Sequence, residues 1–422
     1  MINLAEVKIP YGKTYIQIDT EKVPNVQVIM PEDIESEYSE EEVIKQALAK
    51  PIGNKGIEEL KDAKNVVIVT CDNTRAVPNK LVMPILLDRL EELGVEASKI
   101  TIIIGAGLHP PMPEDRFEEF LGPEVVSRVK VMSHDAKDQE QLVHLGETSN
   151  NTPIWINKNY ANADAKIVVG MIDPHQFIGF SGGVKGVAIG VGGEKLIQAN
   201  HSMLTKPNCR MGILEENPAR QDLEEVGAIV GIDLILNVIV NNKKQVVKAV
   251  SGDFKTAHRE GVKLAQEVCQ VKAEEVDLVI ASQGGYPKDV NLYQAQKALA
   301  HAAALVKQGG VIILVAECIE GVGEVLFEDT MKLDSNPQEV IDRFGSSEFK
   351  MGVHKAFLWA RSLAKAKTIL VSEGIDDEMA QVMMVTKAKS LEEALEIAGK
   401  ELPENPTAAI MPKASSTIPV TE

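Results

Sequence analysis

Basic side chains are in short supply in this chain. Its 44 Lys and Arg stand against 62 Asp and Glu, a formal net charge of −18 over 422 residues. Nucleic acid needs a basic stripe to meet its phosphates, and an anionic lipid surface needs a polybasic patch, so neither is an expected partner. Long apolar runs are missing too. None approaches the ~18 residues of a membrane helix, and the N-terminus lacks the basic-then-apolar layout of a signal peptide. Cysteine is scarce: Cys71, Cys209, Cys269 and Cys318 are scattered with no C-x-x-C spacing. That argues against a disulfide framework and a thiolate zinc site, and for a reduced, cytoplasmic chain. Aromatics are only 4% of the residues, so aliphatic side chains must build the core.

What is present is a rhythm of short β-branched runs and helical stretches. At ~150 residues per domain, the length implies two to three domains. Extended segments at 8–9 and 15–18 surround a turn at 11–13, and a further strand is expected at 26–30. Acidic, helix-friendly sequence covers 32–48. From residue 65 the pattern changes: strands at 66–69, 100–104 and 166–169 alternate with helical sequence such as 79–93. Strands alternating with helices imply parallel βαβ units. Segments 234–240 and 246–250 flank Asn241-Asn242 and read as an antiparallel hairpin, followed by a helix over 256–268. The rhythm restarts near Val276, with strands at 278–281, 311–316 and 368–371 and a helix over 291–307 ended by Gly309-Gly310. The expected architecture is α/β: two α/β domains with mainly parallel sheets and the active site in the crevice between them. The boundary falls near residue 272, giving an N-terminal domain over 1–271 and a C-terminal domain over 272–404. The Pro-, Ser- and Thr-rich segment 405–422 is either a tail or packs back on the first domain.

Ligands of open parallel sheets sit outside the carboxyl ends of the strands, so the residues that follow each strand carry the functional information. The first strand is followed by Asp72-Asn73-Thr74-Arg75, the second by Gly105-Ala106-Gly107-Leu108-His109-Pro110. The third is followed by Asp173-Pro174-His175 and then Ser181-Gly182-Gly183-Val184-Lys185-Gly186. Singly, each has an ordinary explanation: a strand-end His is commonly a structural hydrogen-bonder, the prolines mark turns, and Asp72 with Arg75 reads as a cap and a surface charge. Jointly, three loops deliver an Arg and two His to one crevice.

The glycine motifs are not the common ones. Gly105-Ala106-Gly107 opens like a dinucleotide fingerprint, but Pro110 stands where the third glycine belongs. The Ser181–186 segment lacks Walker spacing, and Gly186 replaces the Ser or Thr that should follow the Lys. What remains is either a flexible loop or a lysine embedded in glycines, suited to phosphate binding or a covalent link. His201 follows helical sequence with no second His or Cys at i+3 or i+4. A four-ligand zinc site is therefore poorly supported, whereas a cofactor bringing most of its own ligands would need one imidazole.

In this order, Asp72-Asn73-Thr74-Arg75, Gly107-Leu108-His109-Pro110, Asp173-Pro174-His175, Ser181-Gly182-Gly183-Val184-Lys185-Gly186, Asn200-His201 and Tyr293-Gln294-Ala295-Gln296-Lys297 resemble the nickel-dependent lactate racemase family over most of the chain. The resemblance implies a racemase of D- and L-lactate. Its cofactor would be a nickel-pincer nucleotide, pyridinium-3-thioamide-5-thiocarboxylic acid mononucleotide with Ni(II), carried by the N-terminal domain. By resemblance, Lys185 holds this group covalently and His201 ligates the nickel, with tetragonal geometry suited to Ni(II). His109 and His175 serve as the acid/base pair while hydride moves to and from the cofactor. Asp72, Thr74, Gly182, Gly183 and Gly186 contact the nucleotide. Arg75, Gln294, Lys297, Tyr293 and Trp359 bind or line the substrate site. The implied partners are a small 2-hydroxy acid such as lactate and the proteins that make the cofactor and insert nickel.

Three rival readings remain open at this stage. Another 2-hydroxy-acid racemase or epimerase would share the catalytic residues and differ around Tyr293 and Trp359. An NAD-dependent 2-hydroxy-acid dehydrogenase conflicts with the fingerprint broken at Pro110. A nucleotide-binding protein without catalysis leaves the converging acid/base residues unexplained.

Overall fold

A computed structural model describes residues 6–23, 25–53, 56–346 and 352–421. The chain divides into two compact units, Asp33–Val268 and a second made of Met1–Glu32 with Cys269–Glu422. Among the described residues no helix is long and apolar enough to cross a membrane. The four cysteines are free thiols.

The unit Asp33–Val268 is built on a six-stranded sheet. Its order is Val246–Gly252, Leu234–Val240, Ala165–Met171, Val66–Cys71, Ile100–Gly105, Lys130–Ser133. All neighbours are parallel except the first pair, the expected hairpin. Strands covered on both faces need apolar residues at every position, which is why they read as runs rather than alternations. Val66 and Ile68 pack on one face with Leu86, Leu87 and Leu90 of helix Asn79–Glu92, while Val67 and Val69 are equally buried on the other. The chain first lays strands outward from Val66–Cys71 toward Lys130–Ser133. It then returns to place Ala165–Met171 on the other side of Val66–Cys71 and grows the opposite way. At that reversal the connections leave two neighbouring strand ends in opposite directions, and a crevice opens between them.

The second unit has its own six-stranded sheet, parallel throughout: Thr386–Ala388, Lys367–Val371, Val306–Val315, Val276–Ser282, Ala408–Met411, Val26–Val28. Two findings here differ from the expected boundaries of 1–271 and 405–422. Strand Val26–Val28 pairs with Ala408–Met411, so the first 32 residues belong with the C-terminal unit. The segment expected as a tail supplies Ala408–Met411, an interior strand, and Ile418–Val420, paired with Gln270–Lys272. Both differences have one cause. A short strand carries no mark of which sheet it joins; that choice goes to whichever edge has open backbone groups. Strand order also reverses in this sheet, between Val276–Ser282 and Ala408–Met411. Here the chain fills the end itself: Ser415 donates to the Gln283 carbonyl at 3.1 Å, and the His301 Nδ1–Thr417 carbonyl distance is 2.8 Å.

Ile280 is fully buried in the middle of this sheet. Ile280→Ala should cost about 2–5 kcal/mol, the usual range for an aliphatic truncation that leaves a cavity. Urea unfolding of the purified variant measures it.

Candidate active site

The crevice of the N-terminal unit lies where Val66–Cys71 and Ala165–Met171 end. Asp72, Thr74, Arg75, His109, Gly182, Gly183, Lys185 and Gly186 all line it. Three loops that are far apart in sequence thus meet because their strands are neighbours.

Asp72 is 8% exposed. Its Oδ1 accepts from the Thr74 amide at 3.1 Å and the Thr74 hydroxyl at 2.5 Å, and its Oδ2 is 2.7 Å from His109 Nδ1. Burial works to raise this carboxyl, but hydrogen bonds from His109 and Thr74 outweigh it and hold Asp72 below the usual carboxylate range. An ionised carboxylate only accepts, so the proton between the two sits on His109 Nδ1. The neutral ring then carries its lone pair on Nε2, the form that takes up a proton.

Lys185 opens a short helical turn, Lys185–Ala188, after the glycine loop. Desolvation, helped by the nearby Arg75 guanidinium, lowers its amine from 10.5 to about 7. Among the described residues no carboxylate forms an ion pair with it, and the Arg75 guanidinium donates to the Thr74 carbonyl at 3.3 Å and hydroxyl at 3.4 Å. Cys71 lines the same recess, but burial raises its thiol. Of the two nucleophiles, the amine is the one with a reactive neutral form near pH 7.

His201 lies on helix Glu194–Ser202. Burial first, and then the Lys185 charge, push its imidazole down to about 3, while a hydrogen bond to the Ile197 carbonyl opposes this. A neutral imidazole is the form in which histidine ligates metals. Phe177 stands between His175 and His201, edge-on to both, at 5.0 Å and 4.9 Å between ring centroids. His175 Nδ1 accepts from the Ile178 amide at 3.5 Å.

The glycines have a second purpose beside an approaching ligand. A Cβ on Gly186 would sit 2.5 Å from Val168 Cγ1, and one on Gly182 would sit 2.8 Å from Asn237 Oδ1. The loop is pressed against its own sheet. Gly182 and Gly183 also have φ of 79° and 57°, a left-handed pair that side chains resist.

The remaining candidates belong to the C-terminal unit. Asn291 caps helix Leu292–Leu305, whose first turns carry Tyr293, Gln294 and Lys297. Lys297 donates to Gln294 Oε1 at 2.8 Å, and the Lys355 ammonium lies 4.7 Å from the Tyr293 ring centroid. Trp359 differs from its expected pocket-lining place. It is 0% exposed, packs edge-on to Phe327 within the core cluster, and donates its indole N–H to the Met383 carbonyl at 2.9 Å. A large ring with a satisfied donor is at home in a core.

Sequence reading missed Phe177, Asn237, Arg220 and His258. Asn237 left a signal: a lone amide inside Leu-Ile-Leu-Asn-Val-Ile-Val, fully buried on an interior strand. Its Oδ1 accepts from the Gly183 amide at 2.7 Å.

The Lys185 amine also makes a prediction about stability. Its folded pKa of about 7 lies below the ordinary 10.5, so between these values the unfolded chain binds more protons and stability rises with pH. The cost of the buried charge is full below about 7 and gone above 10.5. Lys185→Met should therefore stabilise the protein most at neutral and lower pH, with the gain fading through that window. Urea midpoints of both proteins against pH check it.

The chain matches two family models, the lactate racemase N-terminal domain over residues 11–212 and the lactate racemase C-terminal domain over residues 271–418. It is 34% identical over 403 residues to a lactate racemase of Thermoanaerobacterium thermosaccharolyticum, covering 94% of each chain. It is 33% identical over 401 residues to a lactate racemase of Lactiplantibacillus plantarum, covering 93% of this chain and 94% of that one. The solved lactate racemase apoprotein from Thermoanaerobacterium thermosaccharolyticum superposes with a TM-score of 0.91, covering 99% of this chain and 100% of that one at 33% identity. A Thermotoga maritima protein, 17% identical with a TM-score of 0.64, shares the fold. The two domain models and the curated relatives agree, and the chain belongs to the lactate racemase family, a family of isomerases.

Proposed function

We propose that this protein interconverts D- and L-lactate by reversible hydride transfer, with a nickel-pincer nucleotide tethered to Lys185. The observation that carries the reading is the lowered Lys185 amine beside a neutral His201. An amine with a substantial neutral fraction near pH 7 suits a thioamide link to a thiocarboxyl carbon of the cofactor, which would form with loss of water. Among the described residues no group of three or more His, Cys, Asp or Glu side chains could hold a metal ion. The donor set here thus fits a metal that arrives with most of its ligands and takes one imidazole, His201. Asp72, Thr74, Gly182, Gly183 and Gly186 are the proposed contacts to the nucleotide.

When bound, the cofactor supplies a hydride acceptor and donor, so the weakly acidic Cα–H of lactate need not leave as a proton. The protein's part is proton transfer at the hydroxyl. His109, held by Asp72, offers a lone pair on Nε2, and His175 is the proposed second acid/base group. Two enantiomers present their hydroxyl groups differently, and a base for each is required. Arg75 carries the planar fork that a carboxylate accepts. Gln294, Lys297 and Tyr293 are the substrate-binding residues proposed from the C-terminal unit. Cofactor-synthesis and nickel-insertion proteins are the proposed partners.

Lactate deuterated at Cα tests the reaction. It should react more slowly than unlabelled lactate and keep most of its deuterium after inversion, read by mass spectrometry. Rapid exchange of the label into solvent would mean carbanion chemistry and end the proposal. Asp72→Asn should leave the fold intact and reduce racemisation by ~10²–10⁴-fold in both directions, because His109 loses the partner that fixes its tautomer. Polarimetry from each enantiomer measures it.

A further inference from the structure

Behind the lysine loop the protein has buried charge where apolar residues would fill the space at less cost. Arg220, on helix Pro218–Val230, is 0% exposed, and so is His258 on helix Thr256–Cys269. Neither lines the recess. Arg220 Nη1 donates to the carbonyls of Phe180 and Gly182, at 3.4 Å and 3.5 Å. Its Nη2 lies 3.0 Å from His258 Nδ1, and His258 Nε2 lies 2.8 Å from the Ser181 carbonyl. A guanidinium can only donate, so His258 accepts at Nδ1 and donates from Nε2. Three consecutive carbonyls, residues 180–182, are thus held by one pair of side chains, just before the left-handed Gly182-Gly183 step that leads into Lys185.

We propose that Arg220 and His258 are positioning residues for Lys185, gripping the loop carbonyls so that its register presents the amine to the recess. The proposal rests on the reading of Lys185 as the attachment residue. The contact is direct: a Cβ on Gly183 would come within 2.9 Å of His258 Cδ2 and 3.0 Å of Arg220 Nη2. On the loop's amide side, Asn237 accepts from Gly183. The guanidinium is itself held by Glu224 Oε1 at 3.0 Å, and Glu224 is shared with Arg259. Burial, reinforced by Arg220, keeps His258 neutral, as its two opposite hydrogen-bonding roles require.

The test uses the cofactor-free full chain and a small N-hydroxysuccinimide ester as acylating probe, in mildly alkaline buffer where the Lys185 amine is already deprotonated. Site-resolved mass spectrometry compares acylation of Lys185 with that of the exposed Lys45. His258→Leu should slow the Lys185 rate by about tenfold or more, since misplacement of a reacting group costs rate steeply. His258→Gln should restore it to within about twofold, because its amide donates to Ser181 and accepts from Arg220. An unchanged rate in His258→Leu, or no rescue by Gln, overturns the proposal. Should His258→Leu not fold, Arg220→Lys keeps the charge opposite Glu224 while losing the fork; a wild-type rate there overturns it equally. Failure of the attachment reading is seen separately: in cofactor-loaded protein the covalent adduct would then survive Lys185→Ala, whatever the acylation rates.

Discussion

A parallel sheet grown in two directions from one starting strand leaves two neighbouring strand ends whose connections depart on opposite sides. In the unit Asp33–Val268 those ends are Val66–Cys71 and Ala165–Met171. The rest of the site depends on that gap. Asp72 and Arg75 stand at one lip, the glycine loop with Lys185 at the other, and His109 arrives from the next strand over. The C-terminal unit reverses its strand order too, yet its own 412–418 segment occupies the end, with Ser415 and Thr417 tied to Gln283 and His301. The same topology therefore offers an open crevice in one unit and a filled one in the other.

Within the crevice, desolvation and charge act together. Removing an amine from water beside a guanidinium disfavours its protonated form, and Lys185 falls to about 7. The same burial that makes an amine nucleophilic makes the Cys71 thiol inert, because the two groups are charged in opposite protonation states. His201 is driven neutral by burial and by Lys185 together. One physical cause, desolvation, thus lowers both the Lys185 amine and the His201 imidazole.

The supporting side chains bear the cost. Arg220, Glu224 and His258 are buried polar groups that satisfy one another and the loop carbonyls. Asp222, also buried, accepts from Thr148, Thr152 and Asn200, the residue before His201. These hydrogen bonds hold the two elements on which Lys185 and His201 ride.

The sequence by itself determined the α/β class, the parallel strand rhythm and the hairpin of Leu234–Val240 with Val246–Gly252. These follow from local periodicity, which every window of the chain carries. It also marked Asp72, Arg75, His109 and Lys185 as candidates, because functional residues of parallel sheets follow strand ends. Tertiary structure alone decided which sheet Val26–Val28 and Ala408–Met411 join, since a short strand does not encode the edge that accepts it. It placed Trp359 in a core, where its N–H found the Met383 carbonyl, a partner 24 residues away. It also enlisted Arg220 and His258, 38 residues apart, behind a loop 40 residues from the first of them. Hydrogen bonds between distant segments depend on where the backbone has already been brought. No spacing in the sequence records that until the sheet is assembled.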